Sequence, residues 1–422
     1  PGMDFAFGFT GDDYIDRALQ NDWLICNDSV VSPASSNALE DLQLRISLEP
    51  IRDLKIDLTT NRTRNRSREI QYMFEGMPDT RSGNFSMSII SIGSAFERPS
   101  AGDGYHSGTF ERFRRNLDVI RDRVESQFLG AQYPQGSTLA GKTFDPANGT
   151  ISKHSPDVMI PAFLAAYTGK SARNSALDFF PSLFSMMPNW RITYTGLTKI
   201  AWFKKNFRSV NLNHAYRSTY SVGSYNTFQS FMSYMGDIGF VEDVQSGNPI
   251  PSSRFDISMV SINEQFSPLI GMDATLKNGL TAKVEYKTSR ILNLSMSACQ
   301  LVETASRDFV IGLGYKIVNF NLFSGRNVKD SKNRVSHDLA LRADISFRNQ
   351  SALCRDIQQG FAQATNGNKA LKISCSADYT LSRLLTLRLY YDRQQNTPLV
   401  SSSSYPVVSA DFGFSMKFSL TR

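Results

Sequence analysis

Apolar and polar residues alternate with a period of two along most of the chain from Leu42 onward. From 408 to 420 every second residue is apolar, and the residues between are polar or glycine. Successive side chains of a strand point to opposite faces, so the pattern predicts strands with one apolar and one polar face. Thirteen segments show it: 42–49, 53–58, 84–97, 189–198, 208–222, 255–266, 268–277, 280–299, 307–318, 337–348, 369–380, 384–393 and 407–420.

Soluble antiparallel sandwiches alternate in the same way, so strand length has to separate the two classes. Several segments run for roughly 10–20 residues, whereas globular strands average about 5–6 and a membrane-crossing strand needs about 9–11. Aromatic residues near predicted strand ends resemble interfacial girdles: Tyr286, Tyr379, Tyr391 and Tyr405. The pattern favours an all-β, antiparallel transmembrane β-barrel segment over a sandwich.

The polar faces carry charges of both signs in mid-strand, which a water-filled lumen tolerates. The predicted lumen-facing residues are Lys283, Glu285, Lys287, Asp338, Arg342, Asp344, Arg348, Lys372, Asp378, Arg388, Asp392, Asp411 and Lys417. The predicted lipid-facing residues are Leu371, Ile373, Leu387, Leu389, Phe412, Phe414 and Phe418. An ion filter needs a ring of one sign; mixed charge suits a hydrated wall past which a polypeptide can slide.

The connections suggest an orientation. Short ones are predicted at 49–52, 277–279 and 380–384, and longer polar ones at 349–368 and 393–406. Outer-membrane barrels place short turns in the periplasm and long loops outside, so the last strand is taken to run inward. Bacterial single-chain barrels have even strand numbers. An odd count predicts that this chain needs partner strands to close.

The chain divides into four regions: an irregular segment 1–40 with a possible short helix at 12–21, strands at 41–97, an insertion at 98–188, and strands at 189–422. The insertion has apolar residues at helical spacing: Phe110, Phe113, Leu117, Ile120, Val124 and Phe128. Gly130 is a C-terminal stop signal. A packed amphipathic helix is favoured over one that lies on a membrane surface. The strand count predicts a periplasmic insertion.

Residues 136–143 (GSTLAGKT) match the phosphate-binding loop G-x-x-x-x-G-K-[ST]. That loop needs a buried strand before it and a helix after it, but Pro134 precedes and residues 144–149 (FDPANG) follow. We therefore expect no nucleotide and no other cofactor. The G-x-S-x-G motif of a nucleophilic serine does not occur. None of the four histidines has a nucleophile or a paired carboxylate at a spacing typical of a catalytic site. We therefore predict neither enzymatic activity nor a metal site.

Cysteine and charge add little. Cys26, Cys299, Cys354 and Cys375 are scattered; Cys354 and Cys375 could meet across a hairpin, although packed thiols are favoured. The basic run 62–68 (RTRNRSR) is interpreted as a solvated loop, and a net charge of +7 without a basic stripe argues against nucleic acid.

The mean hydropathy of −0.29 conceals the alternation, and no apolar run approaches the roughly 18–20 residues of a spanning helix. The chain begins PGMD, with neither an initiator methionine nor an export signal. We therefore expect either a cytoplasmic protein or a piece of a longer precursor.

Several stretches resemble the SprA/Sov family, the giant single-chain outer-membrane translocons of the type IX secretion system in Bacteroidetes. They are 49–58 (EPIRDLKIDL), 157–169 (DVMIPAFLAAYTG), 188–196 (PNWRITYTG), 214–225 (HAYRSTYSVGSY) and 369–405. The resemblance implies the C-terminal part of a very large barrel wall in the cell outer membrane. It also implies several partners: the remainder of the same polypeptide, the shuttle protein PorV, a periplasmic plug protein, and secreted cargo with a C-terminal signal. No catalytic residues carry over.

Two other functions stay open. One is a porin or nutrient-uptake barrel that binds small solutes, and the other is a soluble β-rich surface protein. Heat-modifiable migration with detergent extraction would separate both barrels from the soluble alternative.

Overall fold

The computed structural model describes residues 3, 14–23, 33–70, 79–318, 320, 338–381, 385–400 and 405–418. The α-helices are α1 (Tyr14–Gln20), α2 (Gly108–Ser126), α3 (Pro156–Tyr167) and α4 (Ala201–Asn206), and short 3-10 helices lie at Ile92–Ser94, Ala101–Asp103, Pro146–Asn148, Leu183–Ser185 and Gly196–Lys199. The strands are β1 (Ala34–Ile51), β2 (Leu54–Ile70), β3 (Thr80–Ser88), β4 (Asn189–Tyr194), β5 (Phe207–Thr227), β6 (Met232–Met235), β7 (Ile238–Glu242), β8 (Pro249–Ser253), β9 (Phe255–Ile257), β10 (Met259–Leu276), β11 (Leu280–Ser295), β12 (Gln300–Ile317), β13 (Leu339–Asp356), β14 (Ala362–Thr380), β15 (Leu385–Pro398) and β16 (Val407–Phe418).

Most strands join in one large antiparallel sheet of 13 strands, and β6–β8 form a separate sheet of three. The main sheet follows the order β1-β2-β3-β5-β10-β11-β12-β13-β14-β15-β16, with β4 beside β2 and β5, and β9 beside β5. The predicted all-β antiparallel architecture with a helical insertion is confirmed.

Two positions across this sheet are each shared by two strands. β3 and β4 both pair with β2, at 62–69 and 54–59 respectively, so they lie end to end. β9 and β10 lie end to end against β5 in the same way. At the two edges, β1 and β16 each pair with one strand among the described residues.

Some predicted strand boundaries were wrong. Segments 255–266 and 268–277 form, apart from the short β9, one strand, β10, whose register shifts between Phe266 and Ile270. The predicted loop 349–368 is mostly strand, because β13 continues to Asp356 and β14 begins at Ala362. Three apolar-face positions of β13 in this stretch hold polar residues, Asn349, Ser351 and Arg355, which lie beneath or contact the insertion, and they hide the alternation.

The small sheet and the start of β1 were also missed. β6–β8 have four or five residues each, and Pro249 and Pro251 lie in β8. Strands this short, with proline, give a weak period-two signal. In the segment predicted as irregular, β1 already begins at Ala34, and α1 lies within the helix predicted at 12–21, whose first two residues are outside the described ones.

The insertion leaves the main sheet halfway along β2, at the point where β3 ends and β4 begins. β3 ends at Ser88 and β4 begins at Asn189, so the strand predicted over 84–97 stops at Ser88 and residues 89–188 make an excursion that returns to the same place. The Met187 N–H donates to the Ser88 carbonyl at 3.1 Å, and Asn189 Nδ2 donates to Ser88 Oγ at 3.2 Å. These bonds close the base of the insertion.

The sheet has two distinct ends. The connections after β1, β10 and β14 lie at one end, called here the turn end; the other is the insertion end, where the insertion packs on Leu292, Leu294 and Leu301. The prediction that the insertion lies at the same end as these short connections is wrong. The predicted strand 84–97 would reach the turn end, but β3 stops at Ser88, halfway along β2, where β4 takes its place, and the insertion turns back from there.

Within the insertion, α2 buries the predicted apolar stripe. Its first turn is capped by Ser107, whose hydroxyl accepts from the Phe110 N–H at 3.1 Å. Phe113 contacts Phe163 of α3 edge-on, with ring centroids 6.0 Å apart. α3 is buried on almost every side, as its apolar sequence requires. Among the described residues, no helix combines the length and apolarity needed to cross a bilayer.

Candidate membrane wall and its polar face

Strand register divides the side chains of the main sheet between two faces. One face carries an exposed surface, named here the apolar belt, that extends from the turn end across β11–β16. Its members are Leu280, Ala282, Val284, Tyr286, Phe309, Ile311, Leu313, Tyr315, Leu339, Leu341, Ala343, Ile345, Phe347, Leu371, Ile373, Cys375, Ala377, Tyr379, Leu387, Leu389, Tyr391, Phe412, Phe414, Met416 and Phe418. All the residues predicted to face lipid belong to it. That they meet lipid stays a prediction.

The belt stops at a polar row on its insertion side. Thr288, Arg307, Asn349, Lys369 and Thr397 lie side by side on β11–β15, one step beyond Tyr286, Phe309, Phe347 and Leu371. We call this row the polar border. Along β13 the belt spans nine residues, Leu339 to Phe347, or about 27 Å at 3.4 Å per residue. The outward apolar band of an outer-membrane barrel is about 25 Å tall.

The predicted aromatic girdle is partly present. Tyr286 lies in the row next to the polar border, with Phe309 on the neighbouring strand. Tyr379 lies near the end of β14. Tyr391, by contrast, lies in the middle of β15, and Tyr405 precedes β16 in an exposed connection.

The opposite, polar face holds all the residues predicted to line a lumen, with Asp338 immediately before β13. Oppositely charged neighbours pair along it: Lys283–Glu285 at 3.0 Å, Lys287–Glu285 at 2.9 Å, Lys316–Asp338 at 2.7 Å, Arg348–Asp308 at 2.8 Å and Arg388–Asp378 at 3.5 Å. Such exposed pairs contribute about 0–1 kcal/mol each. Their effect is a hydrated surface on which charges of both signs compensate locally.

The basic run 62–68 is part of β2, so its prediction as a solvated loop was wrong. Its four arginines share the apolar face, where Arg62 is 8% exposed and pairs with Glu40 at 3.2 Å. Arg68 is held by Asp16 at 2.8 Å and by Asp79 at 2.9 Å. Polar residues on both sides of this strand hid its period of two.

A buried ion pair fastens the insertion to the sheet. Glu264 on β10 and Arg290 on β11 approach to 2.6 Å and are almost inaccessible to solvent. Glu264 also accepts hydrogen bonds from Tyr216 Oη at 2.8 Å and from Ser91 Oγ at 2.7 Å. Arg290 Nη1 donates to the Ser94 carbonyl at 2.7 Å. The first residues of the insertion are therefore bound directly to the sheet.

A second buried pair lies two strands further along. Arg355 on β13 is 1% exposed and contacts Glu303 on β12 at 3.0 Å, while its Nη1 donates to the Tyr105 carbonyl of the insertion at 2.7 Å. Arg114 of α2 donates to the Ile357 carbonyl at 3.0 Å. Together with the Glu264–Arg290 pair, these contacts hold the insertion at several points.

The two buried ion pairs were not predicted from the sequence, although a signal for them is present. Glu264 continues the series Val260 and Ile262, and Arg290 precedes Leu292 and Leu294 with the same period. A charged residue at an apolar position of an alternating strand has to be paired if it is buried. Such a position therefore indicates a covering segment.

Two carboxyl groups of the insertion have shifted pKa values. Burial opposes ionisation of Glu97, but hydrogen bonds from Ser107 and Thr109 outweigh it and keep its pKa below the ordinary value. The resulting stability is present above the unfolded pKa and is lost as the pH falls through the folded one. Burial raises the pKa of Asp157, although the Ser253 N–H donates to it at 3.1 Å. Its contribution therefore decreases as the pH rises from the unfolded pKa towards the folded one.

The segment that matches the phosphate-binding loop is a compact turn. Gln132 and Thr143 form an isolated bridge, and the Tyr133 N–H donates to the Lys142 carbonyl at 2.9 Å. A short 3-10 helix, Pro146–Asn148, follows it. Neither the buried strand nor the α-helix that a phosphate-binding loop requires flanks the segment.

The cysteines do not pair as a hairpin would allow. Cys354 and Cys375 are free thiols on opposite faces of the sheet, and Cys375 is exposed in the apolar belt rather than packed. Cys26 lies outside the described residues. Within the described part of the chain, no group of three or more His, Cys, Asp or Glu residues could hold a metal ion.

Cysteines at two adjacent positions of β14 should react differently if the two faces of the sheet meet different environments. In the full-length protein, with its other cysteines replaced by serine, we expect Cys375 to resist a charged maleimide in liposomes and to react with a lipid-soluble one. The matched variant Cys375→Ser/Ser376→Cys should react with the charged reagent, because Ser376 pairs with Arg342 on the polar face. Mass spectrometry measures both yields. Equal labelling of the two positions by the charged reagent would contradict the division of faces.

Comparison with known proteins adds little. No family model and no curated protein matches the chain. A matching solved structure is OmpT, an outer membrane protein of Vibrio cholerae, folded in vitro and in a trimer form. The match covers 92% of this chain and 99% of that one at 9% identity, with a TM-score of 0.23. A score this low supports no conclusion about function.

Proposed function

We propose that this chain forms part of the wall of a large outer-membrane β-barrel that conducts polypeptides to the cell surface, as the resemblance to the SprA/Sov translocons implies. The observation that carries the proposal is the division of one sheet into an apolar belt of membrane thickness and a continuous polar face of mixed charge. The belt would face lipid, and the polar face would line the conduit.

The two edges of the main sheet fit this proposal. Within the described part of the chain, β1 and β16 each pair on one side only, and a bilayer does not tolerate unpaired backbone N–H and C=O groups. Strands from the remainder of the same polypeptide would pair with them and close the barrel. A shuttle protein of the PorV type, a periplasmic plug protein and secreted cargo with a C-terminal signal are the further partners proposed.

The insertion would act as a buttress. It packs on the same face as the apolar belt, at Leu292, Leu294 and Leu301, and is held there by the buried Glu264–Arg290 and Glu303–Arg355 pairs. The polar face is therefore left uncovered by the insertion. A plug in the lumen would have to lie on the other side of the sheet.

Site-specific crosslinking tests the conduit directly. In the full-length protein in cells, a photo-crosslinking residue at Asp344, on the polar face, should capture secreted cargo stalled during export. The same residue at Ile345, the next position and on the belt, should capture none. Immunoblotting for cargo measures both. Cargo captured equally from both positions, or from Ile345 alone, would contradict the proposal.

The porin alternative predicts different phenotypes. Depletion of the full-length protein should block the export of many secreted proteins if it conducts polypeptides. Loss of uptake of one small solute, with secretion intact, would favour a nutrient-uptake barrel. Correct folding without detergent or lipid would exclude both.

A further inference from the structure

A polar cavity of about 340 Å³ lies where the apolar belt meets the insertion. The sheet contributes Thr288, Arg307, Asn349 and Lys369 of the polar border, and residues 95–105 of the insertion cover it. The apolar row beside it is exposed, with Phe309 at 40% and Phe347 at 47%. The cavity is thus reached from the level at which a lipid headgroup would lie.

Two cations of this cavity have spare hydrogen-bonding capacity. Arg307 Nη2 donates to the Glu97 carbonyl at 3.2 Å, and neither Arg307 nor Lys369 forms an ion pair within the described residues. Arg307 and Lys369 lie on either side of Asn349 in the polar border, so their backbones are about 10 Å apart. Two long side chains can reach across this distance to bind one anion. The carboxylates in the cavity are already engaged, Glu97 by Ser107 and Thr109, and Glu303 by Arg355.

The belt below the cavity has a matching apolar groove. It also measures about 340 Å³, and the small residues Ala343, Cys375 and Ala377 help to form it. Lys369 and Cys375 lie on the same strand and face, six residues apart, which is about 20 Å. An extended acyl chain attached to a headgroup in the cavity would reach this groove.

We propose that the cavity and groove form a binding site for an anionic, phosphate-bearing lipid, with its phosphate held by Arg307 and Lys369 and one acyl chain running along β13 and β14 to Cys375. The proposal rests on the proposed membrane location. The bound lipid would lie between the insertion and the apolar belt and would contact both. A free phosphate would satisfy the same cations, but it would leave the groove empty.

The test uses the full-length protein in nanodiscs of phosphatidylcholine mixed with phosphatidylglycerol of the same acyl chains. Native mass spectrometry should detect retained phosphatidylglycerol, and this lipid should slow the labelling of Cys375 by a lipid-soluble thiol reagent. The Arg307→Gln/Lys369→Gln variant should bind phosphatidylglycerol about tenfold more weakly, the order expected for a lost charge-assisted hydrogen bond. Lys369→Gln alone should weaken it in the same direction, and this exposed side chain can change without disturbing the fold.

The matched control is Arg348→Gln/Lys372→Gln, which removes two cations from the polar face of β13 and β14 and should leave lipid retention unchanged. Equal retention of the two lipids by the unmodified protein, or equal losses in both double variants, would overturn the site while leaving the barrel intact. Protection of Cys375 by inorganic phosphate alone would also overturn it, in favour of a free-anion site. Failure of the protein to enter nanodiscs at all would instead refute the membrane location.

Discussion

Replacement of Phe414 by Arg is expected to destabilise the assembled protein by about 2–4 kcal/mol, because a cation on the lipid face near the bilayer centre loses its hydration. Phe414 is 59% exposed in the apolar belt and lies beside Leu389 on β15. Two further belt residues of β16, Met416 and Phe418, lie between it and the turn end. The folded fraction can be measured by heat-modifiable gel migration after urea titration of the full-length protein in liposomes.

The matched control is Ser415→Arg, which places the same side chain one residue further on and on the polar face. It should change stability by less than about 1 kcal/mol, since a hydrated wall accommodates the charge. Equal losses for the two variants would mean that both faces of β16 meet the same environment. That result would remove the basis for a membrane wall.

The two faces could be predicted from the sequence because their cause is local. From Leu371 to Tyr379 each residue's face follows from strand geometry alone, and register cannot slip by one residue without exchanging the faces. The end-to-end arrangement of β3 and β4 could not be predicted, because it depends on residues 101 positions apart, Ser88 and Asn189, meeting beside β2. The predicted strand 84–97 would have carried the chain to the turn end, whereas β3 stops at Ser88 and the insertion turns back from there.

The burial of charged side chains by distant segments also could not be predicted from the sequence. The arginines of β2 look solvated in the sequence, yet Arg62 and Arg68 are buried because Glu40, Asp16 and Asp79 come from other segments. A charge on an apolar face is consistent with either a strand end in water or a covered ion pair. Local pattern does not distinguish these, since the partner determines the outcome.

Removal of the carboxylate of Glu264 is expected to have the other large effect. Glu264→Ala leaves Arg290 buried without its counter-ion and leaves Tyr216 and Ser91 without their acceptor. Breaking a buried pair in this way costs about 3–5 kcal/mol. We expect the start of the insertion to open, with increased hydrogen exchange at residues 91–107, while the strands of the belt keep their protection.

The double variant Glu264→Leu/Arg290→Met separates the cost of an unpaired buried charge from the loss of the ion pair itself. Because it removes both charges and fills much of their volume, it should recover most of the lost stability, as replacement of a buried pair by apolar residues often does. Glu285→Ala, which breaks exposed pairs with Lys283 and Lys287 on the polar face, should have little effect and serves as the control. If the exchange of residues 91–107 were unchanged in Glu264→Ala, this ion pair would not be what holds the start of the insertion. The docking would then have to depend on the Glu303–Arg355 pair, which binds the Tyr105 carbonyl, and on the apolar contacts at Leu292 and Leu294.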